Sequence, residues 1–173
     1  TWRWVDDWVI GLGLCPFALP VRRAGLIRTI ECAEAVPEAI LGVVVDELSR
    51  LADSPRSELA TTLIVLTGAL AEFEDFLDFL AVAEAAVEAL GLDGELQVAS
   101  FHPDYLFGDA EPDDLGHYTN RSPWPTLHLI READITEAVE SHPDPESIGP
   151  DNARRLREMG LKEILARLGR STA

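Results

Sequence analysis

The stretch Thr61–Thr67 reads TTLIVLT, a short and continuously apolar run of residues with high β propensity. Such a run indicates a strand covered on both faces, because a strand with one wet face alternates apolar and polar residues. Helical periods lie on either side of it, since apolar residues recur every three or four positions over Ile40–Leu51 and over Phe73–Leu90. A buried strand between two amphipathic helices predicts a layered α/β domain.

The other predicted strands and helices alternate along the chain around this segment. Strand composition occupies Leu26–Glu31, Leu96–Phe101 and Thr126–Ile130. Helical spacing occupies residues 2–12, a segment that opens at Asp134 with Glu137 as its capping partner, and a last helix from about Asp151 to Leu168. Strands that alternate with helices favour parallel crossovers.

We therefore expect a single α/β domain over residues 1–173, since this length suits one domain with a real core. Its sheet has about four strands in a mixed, partly parallel arrangement, with helices packed on it. Residues 102–125 form a long loop between the third and fourth strands. This loop is longer than a hairpin connection, so the direction of the fourth strand stays open.

The charge of the chain bounds its partners. It carries 14 basic and 31 acidic residues, a formal net charge of −17. A phosphate backbone or an anionic membrane surface requires clustered Lys and Arg, so we expect neither nucleic acid nor membrane as a partner. The two cysteines, Cys15 and Cys32, suggest no disulfide framework, and no leader pattern is visible. We expect a cytoplasmic protein.

The long loop concentrates the residues that carry chemistry. Three of the four histidines lie in the stretch from Phe101 to Glu132. His102 and His128 bracket the loop, and with Cys15 they form a Cys-His-His set suited to Zn, Cu or Fe. The alternative is that both histidines are hydrogen-bonded core residues and that Cys15 is a small buried apolar residue. No CxxC or HxxxH spacing is present.

A second group of polar residues closes the loop. Asn120, Arg121 and Ser122 precede two prolines, and the planar Arg121 fork suits a carboxylate or phosphate. The alternative is an arginine that ties the acidic loop together through Asp113 or Asp114. Arg131 is a further substrate-binding candidate, with a structural ion pair as its alternative.

Four ordered motifs in the chain resemble an uncharacterised bacterial family, domain of unknown function 1415. They are GLCPFA at 13–18, FHPDYLF at 101–107, TNRSPWPTLHLIRE at 119–132 and SHPDPESI at 141–148. The resemblance spans nearly the whole chain. It implies that the following residues lie in the family's motifs: Cys15, His102, Tyr105, Asn120, Arg121, Ser122, His128, Arg131 and His142. It implies no reaction.

We interpret the chain as a small cytoplasmic enzyme that acts on a small anionic molecule, in a pocket formed by the 101–132 loop and the Cys15 turn. The catalytic candidates are His102, His128, Cys15 and Tyr105, which would act through a metal or by acid/base chemistry. Two alternatives remain open. One is a module that binds a small ligand or a metal without catalysis. The other is a protein–protein adaptor whose docking surface is the aromatic loop, with Tyr105, Phe107, Tyr118 and Trp124.

Overall fold

A four-stranded mixed sheet organises the protein, whose computed structural model describes residues 1–169. The strands are β1 (Ile27–Cys32), β2 (Thr61–Leu66), β3 (Leu96–Phe101) and β4 (Thr126–Arg131). Their order is β1-β2-β4-β3. β1 and β2 are parallel, and β4 is antiparallel to both of its neighbours. The predicted α/β class with a partly parallel sheet is confirmed, and the direction of the fourth strand is now known.

Two long helices cover one face of the sheet: α2 (Pro37–Asp53) and α3 (Phe73–Ala89). Pro37 stands in the first turn of α2, where its missing N–H costs nothing. The apolar stripe of α2 is fully buried at Ile40, Val44, Leu48 and Leu51. Each such side chain contributes about 1.5–3 kcal/mol by leaving water, so this layer is the main core of the domain.

The other face is covered only in part. A π-helix (Trp4–Ile10) and two C-terminal helices, α5 (Ile148–Met159) and α6 (Leu161–Arg167), form a second apolar cluster with Leu63 of β2. The last helix was predicted as one unit, which is wrong. Gly160 separates α5 from α6 with φ 78° and ψ 155°, a conformation that suits glycine alone and ends the first helix.

Two short helices stand beside this second cluster: α1 (Ala18–Arg23) and α4 (Glu132–Ser141). Neither buries a residue. The middle of this face of the sheet is therefore walled by helices but not filled by their side chains. Within residues 1–169, no helix has both the length and the apolar character needed to cross a membrane.

Candidate functional site

An apolar pocket of about 310 Å³ occupies this open face of the sheet, and we call it the sheet pocket. Its floor comes from all four strands, and its walls come from the π-helix, the Cys15 turn, α1 and α4. The lining residues are Trp4, Val5, Val9, Cys15, Phe17, Ala18, Val21, Ile27, Ala60, Thr61, Leu63, Ala99, Phe101, His128, Ile130, Asp134, Ile135 and Ala138. This volume lies at the lower end of the range that small-molecule sites occupy.

Strand alternation places His128 in the floor of the sheet pocket. Leu127 and Leu129 are fully buried in the core under α2 and α3, so the intervening side chain points to the opposite face. Across the sheet His128 pairs with Leu63 on one side and with Ala99 on the other. The orientation expected from the sequence, opposite to Leu127 and Leu129, agrees with the structure.

A hydrogen-bond chain sets the tautomer of His128. Its Nε2 lies 2.7 Å from Thr61 Oγ1, and that hydroxyl in turn donates to the carbonyl of Leu129 at 2.6 Å. The Thr61 hydroxyl has one proton, and it donates that proton to the Leu129 carbonyl. His128 Nε2–H must therefore donate to Thr61 Oγ1, which leaves Nδ1 as the ring's acceptor. Nδ1 makes no hydrogen bond within residues 1–169.

Burial keeps the His128 ring neutral. It lowers the pKa of His128 from 6.5 to about 4, since the charged imidazolium is poorly solvated in this apolar setting. At neutral pH the sheet pocket therefore contains an uncharged imidazole with an unshared lone pair on Nδ1.

Cys15 lies in the wall of the same pocket, at the turn before α1. Burial raises the pKa of the Cys15 thiol, and this effect outweighs the backbone N–H groups of Phe17 and Ala18, which favour the thiolate. Near pH 7 the side chain is thus a neutral thiol.

His102 lies on the opposite face of the sheet. Its ring is completely buried against Phe73 and Phe76 of α3, with centroid distances of 5.2 and 5.1 Å. Nε2 donates to the carbonyl of Leu70 at 3.2 Å, and Nδ1 accepts the backbone N–H of Asp104 at 3.1 Å. Burial also lowers the pKa of His102. Both ring nitrogens serve to hold the start of the loop.

The Cys-His-His metal set is consequently not assembled. The strands that carry the two histidines are neighbours, as that hypothesis required, but His102 turns to the face opposite His128. Only Cys15 and His128 meet in one pocket. Across the part of the chain that the structure describes, no three His, Cys, Asp or Glu side chains are grouped to hold a metal ion. The proposed Zn, Cu or Fe cofactor has no support in this geometry.

Arg121 stabilises the loop from within. Its Nε donates to the carbonyl of Tyr105 at 3.2 Å, and its guanidinium stacks 4.5 Å above the Tyr118 ring. Its own carbonyl accepts a hydrogen bond from Trp4 Nε1 at 3.0 Å. The acidic tie considered for Arg121 is made instead by Arg157, whose Nε lies 2.9 Å from Asp114 and helps lower the pKa of that carboxyl to about 2.

The neighbours of Arg121 are also committed to the loop. Asn120 Nδ2 donates to the Ser100 carbonyl at 3.3 Å. The Ser122 hydroxyl donates to the Trp124 carbonyl at 2.6 Å. Tyr105 packs between Phe73 and Phe107. None of residues 102–125 lines the sheet pocket. Within the 101–132 stretch, the residues that line the sheet pocket with Cys15 are Phe101, His128 and Ile130, which belong to the strands that flank the loop.

Arg131 has a structural role different from the expected ion pair. One of its terminal nitrogens lies 2.5, 2.7 and 3.2 Å from the carbonyl oxygens of Leu51, Ser54 and Leu59. These carbonyls belong to the end of α2 and the segment after it, which leave backbone acceptors without helical partners. Arg131 is therefore a cap for α2 and lies away from the sheet pocket.

The aromatic residues of the loop are mostly packed. Tyr118 is 7% exposed and its carbonyl accepts a hydrogen bond from Trp8, whereas Trp124 is 48% exposed. Tyr105 and Phe107 are half-buried against each other. Of the four aromatics, Trp124 alone is in the exposed class, and the docking role proposed for the aromatic loop stays a hypothesis.

Two polar residues of the pocket were not singled out from the sequence. Thr61 was interpreted only as the start of a buried strand, although a hydroxyl there must find a partner. Asp134 was interpreted as a helix cap, but α4 begins at Glu132, so Asp134 stands in its first turn and reaches the pocket wall. The predicted N-cap, Asp134, lies three residues after the observed one, Arg131, and this error hid the contribution of Asp134 to the pocket.

Comparison with known proteins identifies the family of the chain. No curated protein and no solved structure matches the chain. The model of one family, described as Protein of unknown function (DUF1415), matches residues 1–166. The match covers the π-helix, the sheet pocket, the long loop and α5, so the chain belongs to this family.

Proposed function

We propose that the protein binds a compact, mainly apolar small molecule in the sheet pocket. The observation that carries this proposal is a pocket walled by apolar side chains with one neutral imidazole in its floor, whose Nδ1 is free to accept a hydrogen bond. Ligand sites have this composition, with many apolar contacts for affinity and a few polar atoms for orientation.

The anionic substrate expected from the sequence fits this pocket poorly. No Lys or Arg side chain is among its lining residues, and the carboxylate of Asp134 is. An anion would lose its hydration without a compensating charge, at a cost of several kcal/mol. Arg121 and Arg131, which were to bind it, have roles in the loop and at the end of α2.

The affinity available from such a site is moderate. Each buried CH₂ contributes about 0.8 kcal/mol, so a six-carbon ring gains roughly 5 kcal/mol before the cost of association. At a net gain of roughly 0.5 kcal/mol per non-hydrogen atom, which small ligands reach after that cost, a ring compound of about eight such atoms binds in the millimolar range, and a natural ligand with matched polar groups binds more tightly.

Titration of the ¹⁵N-labelled protein with cyclohexylmethanol tests this proposal. We expect shift changes that cluster at the lining residues, such as Ala99 and His128. Ala99→Ile fills the pocket from β3 and should abolish these changes, and Ala138→Leu fills it from α4 with the same result. The matched control is Ala85→Leu on the exposed face of α3, which should bind as the parent does. Unchanged binding in both filled variants, or no binding at 10 mM probe, on the order of the affinity above, would refute the proposal.

A second candidate function is thiol chemistry, favoured by one observation: Cys15 and His128 line the same pocket. His128 Nδ1 would act as the base that accepts the Cys15 proton as the thiol attacks, a step that the low pKa of His128 and the raised pKa of Cys15 make slow. We expect iodoacetamide to alkylate Cys15 more slowly at pH 7 in His128→Gln than in the parent. Cys32, at 3% exposure, is the internal control for unfolding. Equal alkylation rates in the two proteins would rule out this candidate.

A further inference from the structure

The polar atoms that the sheet pocket offers to a ligand are almost all hydrogen-bond acceptors. His128 Nδ1 is an acceptor because Nε2 carries the ring proton, and the Thr61 hydroxyl has already donated to Leu129. The Cys15 S–H is the remaining donor, and a thiol is a weak one. A ligand that matches this pocket must therefore bring donors of its own.

Asp134 adds a carboxylate at the edge of the pocket. Its side chain is 19% exposed, and Arg56 Nε lies 2.5 Å from its Oδ1. This contact is an ion pair without hydrogen-bond geometry, so Oδ1 is shielded from water and faces one cation. A buried acceptor of this kind is stabilised further by a well-placed N–H or O–H group.

The ion-paired group formed by Arg56, Asp134 and Glu137 carries a net negative charge. Arg56 is shared between two carboxylates, since its Nη1 also lies 2.6 Å from Glu137 Oε2. Two carboxylates against one guanidinium leave a net charge of −1. Arg56 is itself 55% exposed, and it lines an adjoining depression rather than the sheet pocket, whereas Asp134 lines both.

We infer that the ligand of the sheet pocket is a compact apolar amine, bound as its ammonium with the cationic group beside Asp134. This inference rests on the proposed binding function and specifies its ligand class. The apolar body contacts the strands of the floor, and the ammonium donates to Asp134 Oδ1. A neutral analogue fits the shape of the sheet pocket but does not pair with the charge of Asp134, and a carboxylate is repelled by that charge. The net charge of −17 further attracts cations to the protein.

Three probes with one ring and different head groups test the inference: cyclohexylmethylamine, cyclohexylmethanol and cyclohexanecarboxylate. Each is titrated by calorimetry at pH 7.5 and low salt. We expect the amine to bind at least about tenfold more tightly than the alcohol, a difference of about 1.4 kcal/mol, and the carboxylate to bind most weakly.

Asp134→Asn isolates the carboxylate. We expect it to remove the preference for the amine, so that the amine and the alcohol bind this variant with affinities within about twofold of each other. The matched control is Asp75→Asn, which removes an exposed carboxylate from the first turn of α3 and should keep the preference.

The outcomes separate this inference from the function on which it rests. If the alcohol binds as tightly as the amine in the parent, or the carboxylate binds best, the amine inference is wrong and the binding function stands. If the amine preference survives in Asp134→Asn, Asp134 is not its source and the inference is equally wrong. If none of the probes binds, both the inference and the proposed function fail. The parent comparison needs no variant, so it decides the matter even if Asp134→Asn does not fold.

Discussion

The buried imidazole of His128 makes the stability of this protein depend on pH in a defined window. Its pKa falls from 6.5 to about 4 on folding, because burial penalises the charged ring. Above pH 6.5 the ring is neutral in both the folded and the unfolded chain, so protonation of His128 takes nothing from the free energy of unfolding. As the pH falls from 6.5 towards 4, His128 becomes protonated in the unfolded chain but stays neutral in the folded protein, which favours unfolding. At about 1.4 kcal/mol per pKa unit, the free energy of unfolding decreases by about 2 kcal/mol at pH 5 and by about 3 kcal/mol below pH 4.

A comparison with His128→Gln isolates this contribution. The glutamine amide retains a donor towards Thr61 but does not titrate. Acidic residues and His102 also titrate as the pH falls, and they are present in both proteins, so their effects cancel in the difference. Urea unfolding followed by tryptophan fluorescence at pH 7.5, 6 and 5 gives the two free energies. We expect the parent to lose about 2 kcal/mol relative to the variant between pH 7.5 and 5. A difference that stays constant over this range, or an NMR titration of His128 near pH 6.5, would refute the reasoning.

Three further substitutions test the structural roles assigned above. Arg131→Met removes the side-chain donor from three carbonyls in and after the last turn of α2 and should lower the free energy of unfolding by about 3 kcal/mol, measured by urea unfolding. His102→Leu leaves two backbone groups unpaired and should cost about 3 kcal/mol without changing the affinity for cyclohexylmethanol, measured by calorimetry. Gly68→Ala would place a Cβ 2.2 Å from the carbonyl oxygen of Ala33 and should cost at least about 3 kcal/mol, whereas Gly42→Ala in open space within α2 should stabilise by about 0.5–1 kcal/mol, both measured by thermal unfolding.

Each of these has an outcome that contradicts it. A stable Arg131→Met protein would mean that water or another donor satisfies the end of α2. Weaker probe binding in a folded His102→Leu protein would connect the two faces of the sheet, contrary to the separation described here. Similar melting temperatures for Gly68→Ala and Gly42→Ala would show that the backbone near Ala33 shifts at little cost to make room for the added Cβ.

Part of the site was predictable from local pattern. The alternation of Leu127, His128 and Leu129 was enough to place the histidine on the face opposite the two leucines, because a strand has a period of two whatever its neighbours are. The exit turn at Cys15 was likewise visible from Gly13 and Pro16. The pairing of these two residues in one pocket was proposed on weaker grounds, and the structure brings them together.

The misplaced residues share one physical cause. His102, Arg121 and Arg131 carry groups that are common in active sites, and their sequence context does not reveal that backbone carbonyls would occupy them. Those carbonyls belong to Leu70, Tyr105 and the end of α2, which are distant in sequence from the side chains they bind. A hydrogen-bond partner supplied by the backbone leaves no trace in residue type, because every residue has a carbonyl.

The sequence by itself determined the four strands, the helices α2 and α3 and the α/β class of this protein, since helical and strand periods are local properties of neighbouring residues. Tertiary structure alone decided the strand order β1-β2-β4-β3, the antiparallel direction of β4 and the separation of His102 from His128. It also decided that α1 and α4 wall a face of the sheet without filling it. A cavity forms where side chains from several segments do not fill the space between them, so it cannot be read from any one segment. The pocket that we propose as the functional centre therefore became visible only in the folded chain.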